Sequence, residues 1–118
     1  MEFDRFSIAL LVLRPDHPRL DKEAEAALQD AHMAHLADLH EAGYLLVAGP
    51  LLGGSDEVFR GLTILNVEPE KARLLKEQDP AVRAGRFSVK VLHWMVPRGA
   101  VHFSRTRFPR SITEANAD

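Results

Sequence analysis

The stretch that decides the fold runs DKEAEAALQDAHMAHLADLHEAG, from Asp21 to Gly43. At about 100° per residue, Ala24, Leu28, Ala31, His35, Leu39 and Ala42 fall on one stripe, the pattern of an amphipathic helix. Asp21 can cap its start, and Gly43 supplies the residue that most easily turns left-handed at its end.

On the N-terminal side, Phe6–Leu13 is an apolar run with β-branched members, broken by Arg14, Pro15, Asp16, His17 and Pro18. It reads as a buried strand followed by a turn. On the other side, Tyr44–Ala48 reads as a short strand stopped by Gly49 and Pro50, and Gly53–Asp56 reads as a loop. Gly61–Val67 is a third strand. Glu68 and Pro69 open a second helix that runs to about Gln78, with proline at its first position. Asp79 and Pro80 then start a single helical turn closed by Gly85, before a fourth strand over Phe87–Val96.

The order β-α-β-β-α-β predicts an α+β fold of the ferredoxin-like kind, with an antiparallel sheet and both helices on one face. Nothing in the pattern covers the other face, so a homodimer packing sheet against sheet is expected. Residues 1–97 make up this domain. Residues 98–118 form a C-terminal extension carrying Arg98, Arg105, Arg107 and Arg110 with Phe103 and Phe108. The extension is expected to be partly disordered beyond Ser111, or to clasp a partner across the dimer.

The bulk numbers bound the function. With 118 residues the chain has the size of one domain. It has no cysteine, which excludes disulfides, thiol catalysis and cysteine-ligated metal, and fits a reducing cytoplasm. The net charge of −2 gives no reason to expect nucleic acid or an anionic membrane as partner. The first apolar run, Ile8 to Leu13, is too short for a signal segment or a membrane span. No Lys-Ser/Thr follows Gly53-Gly54-Ser55, so it is no phosphate loop, and no dinucleotide or nucleophile-elbow motif occurs. No cofactor is expected.

Three of the six histidines, His32, His35 and His40, lie on the first helix. His35 falls about 20° from the centre of the stripe, with His32 close to it, whereas His40 sits about 120° away, at the edge or in solvent. A histidine on an apolar face must find hydrogen-bond partners, as a satisfied core residue or as a proton carrier. His32 and His35, three apart, could also reach one metal ion, although Asp38 and Glu41 point elsewhere on the wheel. Asp79 is fully explained as the cap of its helical turn, yet it can also orient a histidine in the manner of a triad acid.

The segments AHMAHLADLHEAGYLLVAGPLL and KEQDPAVRAGRFSVKVLHW resemble the YCII-related family. The likeness lies in His35-Leu36 with Leu39, then Gly43, Leu45 and Ala48-Gly49-Pro50, then Asp79-Pro80 with Ala84-Gly85, and covers roughly residues 5–97. The resemblance implies a ferredoxin-like domain that dimerises into an α+β barrel. It also implies His35 and Asp79 as a catalytic dyad beside a pocket lined by Gly49 and Pro50. His32 is expected to bind substrate with Gly49 and Pro50; the family often has arginine at this position, and histidine there makes an anion-binding role dependent on pH. The implied activity is acid–base chemistry on a small, cyclic organic compound: proton abstraction, isomerisation or elimination. A non-catalytic binding or regulatory dimer is the alternative.

Overall fold

The computed structural model describes residues 1–53 and 58–117, so most of the expected loop over Gly53–Asp56 lies outside the described residues. Strand β1 spans Phe3–Leu13, helix α1 Lys22–Glu41, β2 Leu45–Pro50, β3 Phe59–Leu65, helix α2 Pro69–Lys76, the single turn α3 Pro80–Arg83, β4 Phe87–Pro97 and a final turn α4 Ile112–Ala115. The four strands form one sheet in the order β2-β3-β1-β4, with every neighbouring pair antiparallel. This is the ferredoxin-like α+β arrangement.

The expected punctuation explains the ends of the elements. Asp21 accepts a hydrogen bond from the Ala24 amide at 2.8 Å, and Gly43 takes a φ of 89° just beyond α1. Pro69 opens α2, and Asp79 caps α3 by accepting from the Ala81 amide at 2.9 Å. β1 begins three residues earlier than expected, because Phe3, Asp4 and Arg5 continue the ladder opposite Pro97, Val96 and Met95.

The two helices do not cover the sheet equally. Under α2 the core is tight: Ala9, Leu65 and Ala72 are fully buried, with Val67, Leu75, Val89 and Val91 packed around them. The short Ala72 side chain lets α2 lie close to β1. On the α1 side, β1 and β3 present Leu11, Gly61 and Thr63, and the space above them stays open.

The opposite face of the sheet carries Phe6, Ile8, Leu10, Leu62, Ile64 and Leu92, since Ser7, Ala9 and Leu11 point to the helices and side chains alternate. Leu92 is 43% exposed and Val47 41% exposed.

Beyond β4, residues 98–117 pack back on the same chain, and the turn α4 follows Ser111. The Phe103 ring meets Phe6 edge-on at 5.3 Å on the outer sheet face. The segment then reaches the helix layer, where the Thr106 amide donates to His40 Nε2 at 3.2 Å and Phe108 stacks on the His40 ring at 4.2 Å. Arg110 bridges Asp38 and Glu41, both at 2.9 Å, and the Ile112 amide donates to Asp30 at 2.8 Å. The tail therefore straps its own chain. It also buries His40, which the helical wheel had placed at the solvent edge; its Nδ1–H donates to the Leu45 carbonyl at 2.7 Å.

Candidate active site

A cavity of about 470 Å³ occupies the open half of the helix–sheet layer. Its floor is the strand surface at Leu11, Gly61 and Thr63. One wall is α1, through Gln29, His32, Met33 and Leu36, and the end of β2 at Ala48, Gly49 and Pro50 closes another side. Gly61 matters by what it lacks: a Cβ there would project beside Leu11, 3.5 Å from its Cδ1, and narrow the floor. The volume lies within the range of about 300–1,000 Å³ usual for small-molecule sites.

His32 stands where this cavity meets the buried polar centre of the domain. Its Nδ1–H donates to Asp79 Oδ2 at 2.7 Å. Asp79 is fully buried, and its other oxygen takes the Ala81 amide. Burial alone would push the Asp79 carboxyl up. The hydrogen bond and charge of His32, the charge of Lys76 and the Ala81 amide outweigh it and hold the group below the usual carboxylate range. Asp79 is thus a buried anion with partners on every side.

Lys76 is the second buried charge, at 0% exposure. Its ammonium lies 3.8 Å from Asp79 Oδ2 and donates to Thr63 Oγ1 at 3.3 Å. Burial pulls its pKa down, and Asp79 opposes that. A polar chain results: His32, Asp79, Lys76, Thr63, beginning and ending at residues that line the cavity. Among the described residues, no buried side-chain nitrogen or oxygen lacks a hydrogen-bond partner.

The expected His35–Asp79 hydrogen bond is therefore corrected: the histidine bonded to Asp79 is His32. His35 Nε2–H donates instead to the Leu75 carbonyl on α2 at 3.2 Å, and His35 is absent from the cavity lining. Burial pulls the His35 pKa below the usual histidine range. Lys76 and His32 add to that, while Asp79 and the Leu75 carbonyl oppose it. His35 is a neutral staple between α1 and α2. The physical reason is helical phase: the cavity side of α1 is centred towards His32, Met33 and Leu36, and His35 lies about 60° round the helix from His32, on the side facing α2. Gly49 and Pro50 do line the cavity together with His32.

Four further residues escaped the sequence reading. Thr63 and Lys76 carry no motif, and a lysine in a charged helix reads as surface. Arg60 and Arg86 also line the cavity, and Gly85 before Arg86 was the one hint of a turn there. Among the described residues, no group of three or more His, Asp or Glu side chains is placed to hold a metal ion, so His32 and His35 find no third ligand. No helix among them is long and apolar enough to cross a membrane.

The four-stranded antiparallel sheet with its helices on one face makes this a small ferredoxin-like α+β domain. This chain belongs to the YCII-related domain family, whose sequence model matches residues 8–95. It is similar in structure to 5-chloro-2-hydroxyhydroquinone dehydrochlorinase from Burkholderia phenoliruptrix AC1100, solved with 2,5-dihydroxybenzoquinone. Identity is 24% and the TM-score 0.55, over 75% of this chain and 92% of that one. A dimeric protein of unknown function and ferredoxin-like fold from Bacteroides fragilis NCTC 9343 is 14% identical, with a TM-score of 0.47 over 78% of this chain and 95% of that one. No protein of curated function matches the sequence.

Proposed function

We propose that this chain is an acid–base enzyme acting on a small, cyclic organic compound, with His32 as the proton carrier and Asp79 as its partner. The observation that carries the reading is the 2.7 Å hydrogen bond from His32 Nδ1–H to buried Asp79, on the wall of a 470 Å³ cavity.

The chemistry follows from the tautomer. With Nδ1 committed to Asp79, the ring nitrogen available to a bound molecule is Nε2, which carries a lone pair in the neutral ring. It can take a proton from a substrate carbon or hydroxyl, and the fixed Asp79 charge then stabilises the imidazolium. A histidine positioned in this way typically contributes about 10²–10⁴-fold. Proton abstraction leading to isomerisation or elimination is the reaction this arrangement suits. The Burkholderia enzyme of the same fold, named for loss of chloride from a substituted hydroquinone, is consistent with a ring of that size.

The enzyme acts in the cytoplasm, as the absence of cysteine suits, and as a homodimer. Ile8, Leu10, Leu62, Ile64 and Leu92 leave an apolar band on the outer sheet face, which a second copy would cover. The test is a panel of cyclic ketones, lactones and substituted hydroquinones, monitored by absorbance and by solvent deuterium incorporation, with His32→Asn as control. Turnover lost in that variant supports the reading. Turnover that survives it removes His32 from the chemistry, and binding without turnover in the parent favours a binding protein instead.

A further inference from the structure

The proposed function leaves open what kind of ring compound the cavity prefers, and its lining is uneven in charge. Arg86 contributes a cation to the wall beside His32, and no aspartate or glutamate among the described residues lines it. The whole chain carries a net charge of −2, so an arginine in the cavity wall is a local feature rather than a reflection of composition. The Arg86 guanidinium is loosely engaged. It sits 3.6 Å from Glu25 at the surface and 5.7 Å from the centre of the Phe87 ring, which leaves most of its five N–H groups for other acceptors. A second donor comes from the floor. Thr63 Oγ1 accepts from Lys76, a cation with only donors to offer, so the hydroxyl proton of Thr63 must point elsewhere. It donates to no acceptor among the described residues, and Thr63 lines the cavity.

We propose that the cavity is selective for small organic anions: a ring resting on Leu11, Met33 and Leu36, with a carboxylate or enolate oxygen held by Arg86. Thr63, set by buried Lys76, is a positioning residue that donates to a second ligand oxygen. This rests on the cavity being the ligand site of the proposed function, and it adds the substrate class. An anionic oxygen held by Arg86 places the ring against the wall that presents His32, where a proton next to that oxygen is the one to be exchanged.

Calorimetric titration of the full chain with benzoate and with benzamide, at low salt and neutral pH, separates charge from shape. Benzoate is expected to bind at least about 10-fold more tightly, since a hydrogen bond to a charged group contributes more than one to a neutral group. Arg86→Gln is expected to remove that preference. Thr63→Val is expected to weaken benzoate about 10-fold or more, and Thr63→Ser to restore it. Circular dichroism of each variant separates lost binding from lost folding. Equal binding of the two probes, no benzoate binding, or a preference that survives Arg86→Gln would overturn the inference. The outcomes are separable from those of the proposed function. If benzoate is preferred while His32→Asn retains turnover, only the acid–base reading falls. If His32→Asn is inactive while the two probes bind alike, only the anion reading falls.

Discussion

Asp79 Oδ2 lies between two nitrogen partners, 2.7 Å from His32 Nδ1 and 3.8 Å from Lys76 Nζ. One oxygen thus serves the cavity wall and the only buried ammonium among the described residues. Asp79→Asn keeps an oxygen for the Ala81 amide but removes the negative charge. It strands Lys76 without a counter-charge, which is expected to cost about 3–5 kcal/mol of stability. Urea unfolding would read this directly, and a loss below about 1 kcal/mol would mean that Lys76 does not depend on Asp79.

The pH dependence of stability follows from His35. Its pKa is depressed in the folded chain, chiefly by burial, so below about 6.5 the unfolded chain binds the proton that the folded chain refuses. Stability therefore falls as pH drops through that window. Asp79 adds a later loss of the same sign: its contribution is present above about pH 3.9 and disappears as pH falls through its lowered folded value. The urea midpoint should decline between pH 7 and pH 5, and decline less in His35→Gln, whose amide can still donate to Leu75. Identical slopes in the two proteins would remove His35 as the cause.

The strap formed by the C-terminal segment offers a third measurement. Phe108→Ala removes the ring stacked on His40 and loosens the Thr106 amide from His40 Nε2. Because Phe108 is only half-buried, the expected cost is about 1–2 kcal/mol, short of the 3–5 of a fully buried phenylalanine. Hydrogen exchange at Thr106 should rise by more than the global loss of stability explains.

The outer sheet face gives a fourth. Leu92→Asp places a charge in the middle of the apolar band, opposite Ile8. Sedimentation velocity should show the parent at twice the mass of the variant, with both folded. A variant that sediments with the parent's mass would move the interface away from this face.

The fold was legible because its boundaries are written in local chemistry: Asp21, Gly43, Pro69, Asp79 and Gly85 sit where elements start or stop. The site was legible only in part. Gly49, Pro50 and the histidine-bearing helix border the cavity, but the histidine that faces Asp79 is His32, one turn before the expected His35. The apolar stripe caused that error: Leu28, Ala31 and Leu39 centre it about 100° round α1 from the side that carries Gln29, His32, Met33 and Leu36 to the cavity. His40 failed for a different reason, since the residues that bury it lie 66 or more positions further along the chain. No periodicity reports on such a contact. Lys76 shows the same limit, because its burial depends on Thr63 and Asp79 meeting it across the α2–sheet layer.

The route of the strap has a practical consequence for anyone attaching a label. Pro109 forms part of the cavity wall, and the Ile112 amide is tied to Asp30 on α1. A fluorophore or affinity handle joined beyond Ala117 would start only a few residues from the cavity and could report on, or obstruct, its mouth. One joined at Met1 starts at the far end of β1, about 26 Å along the strand from Leu11 at roughly 3.3 Å per residue, and would leave the cavity untouched.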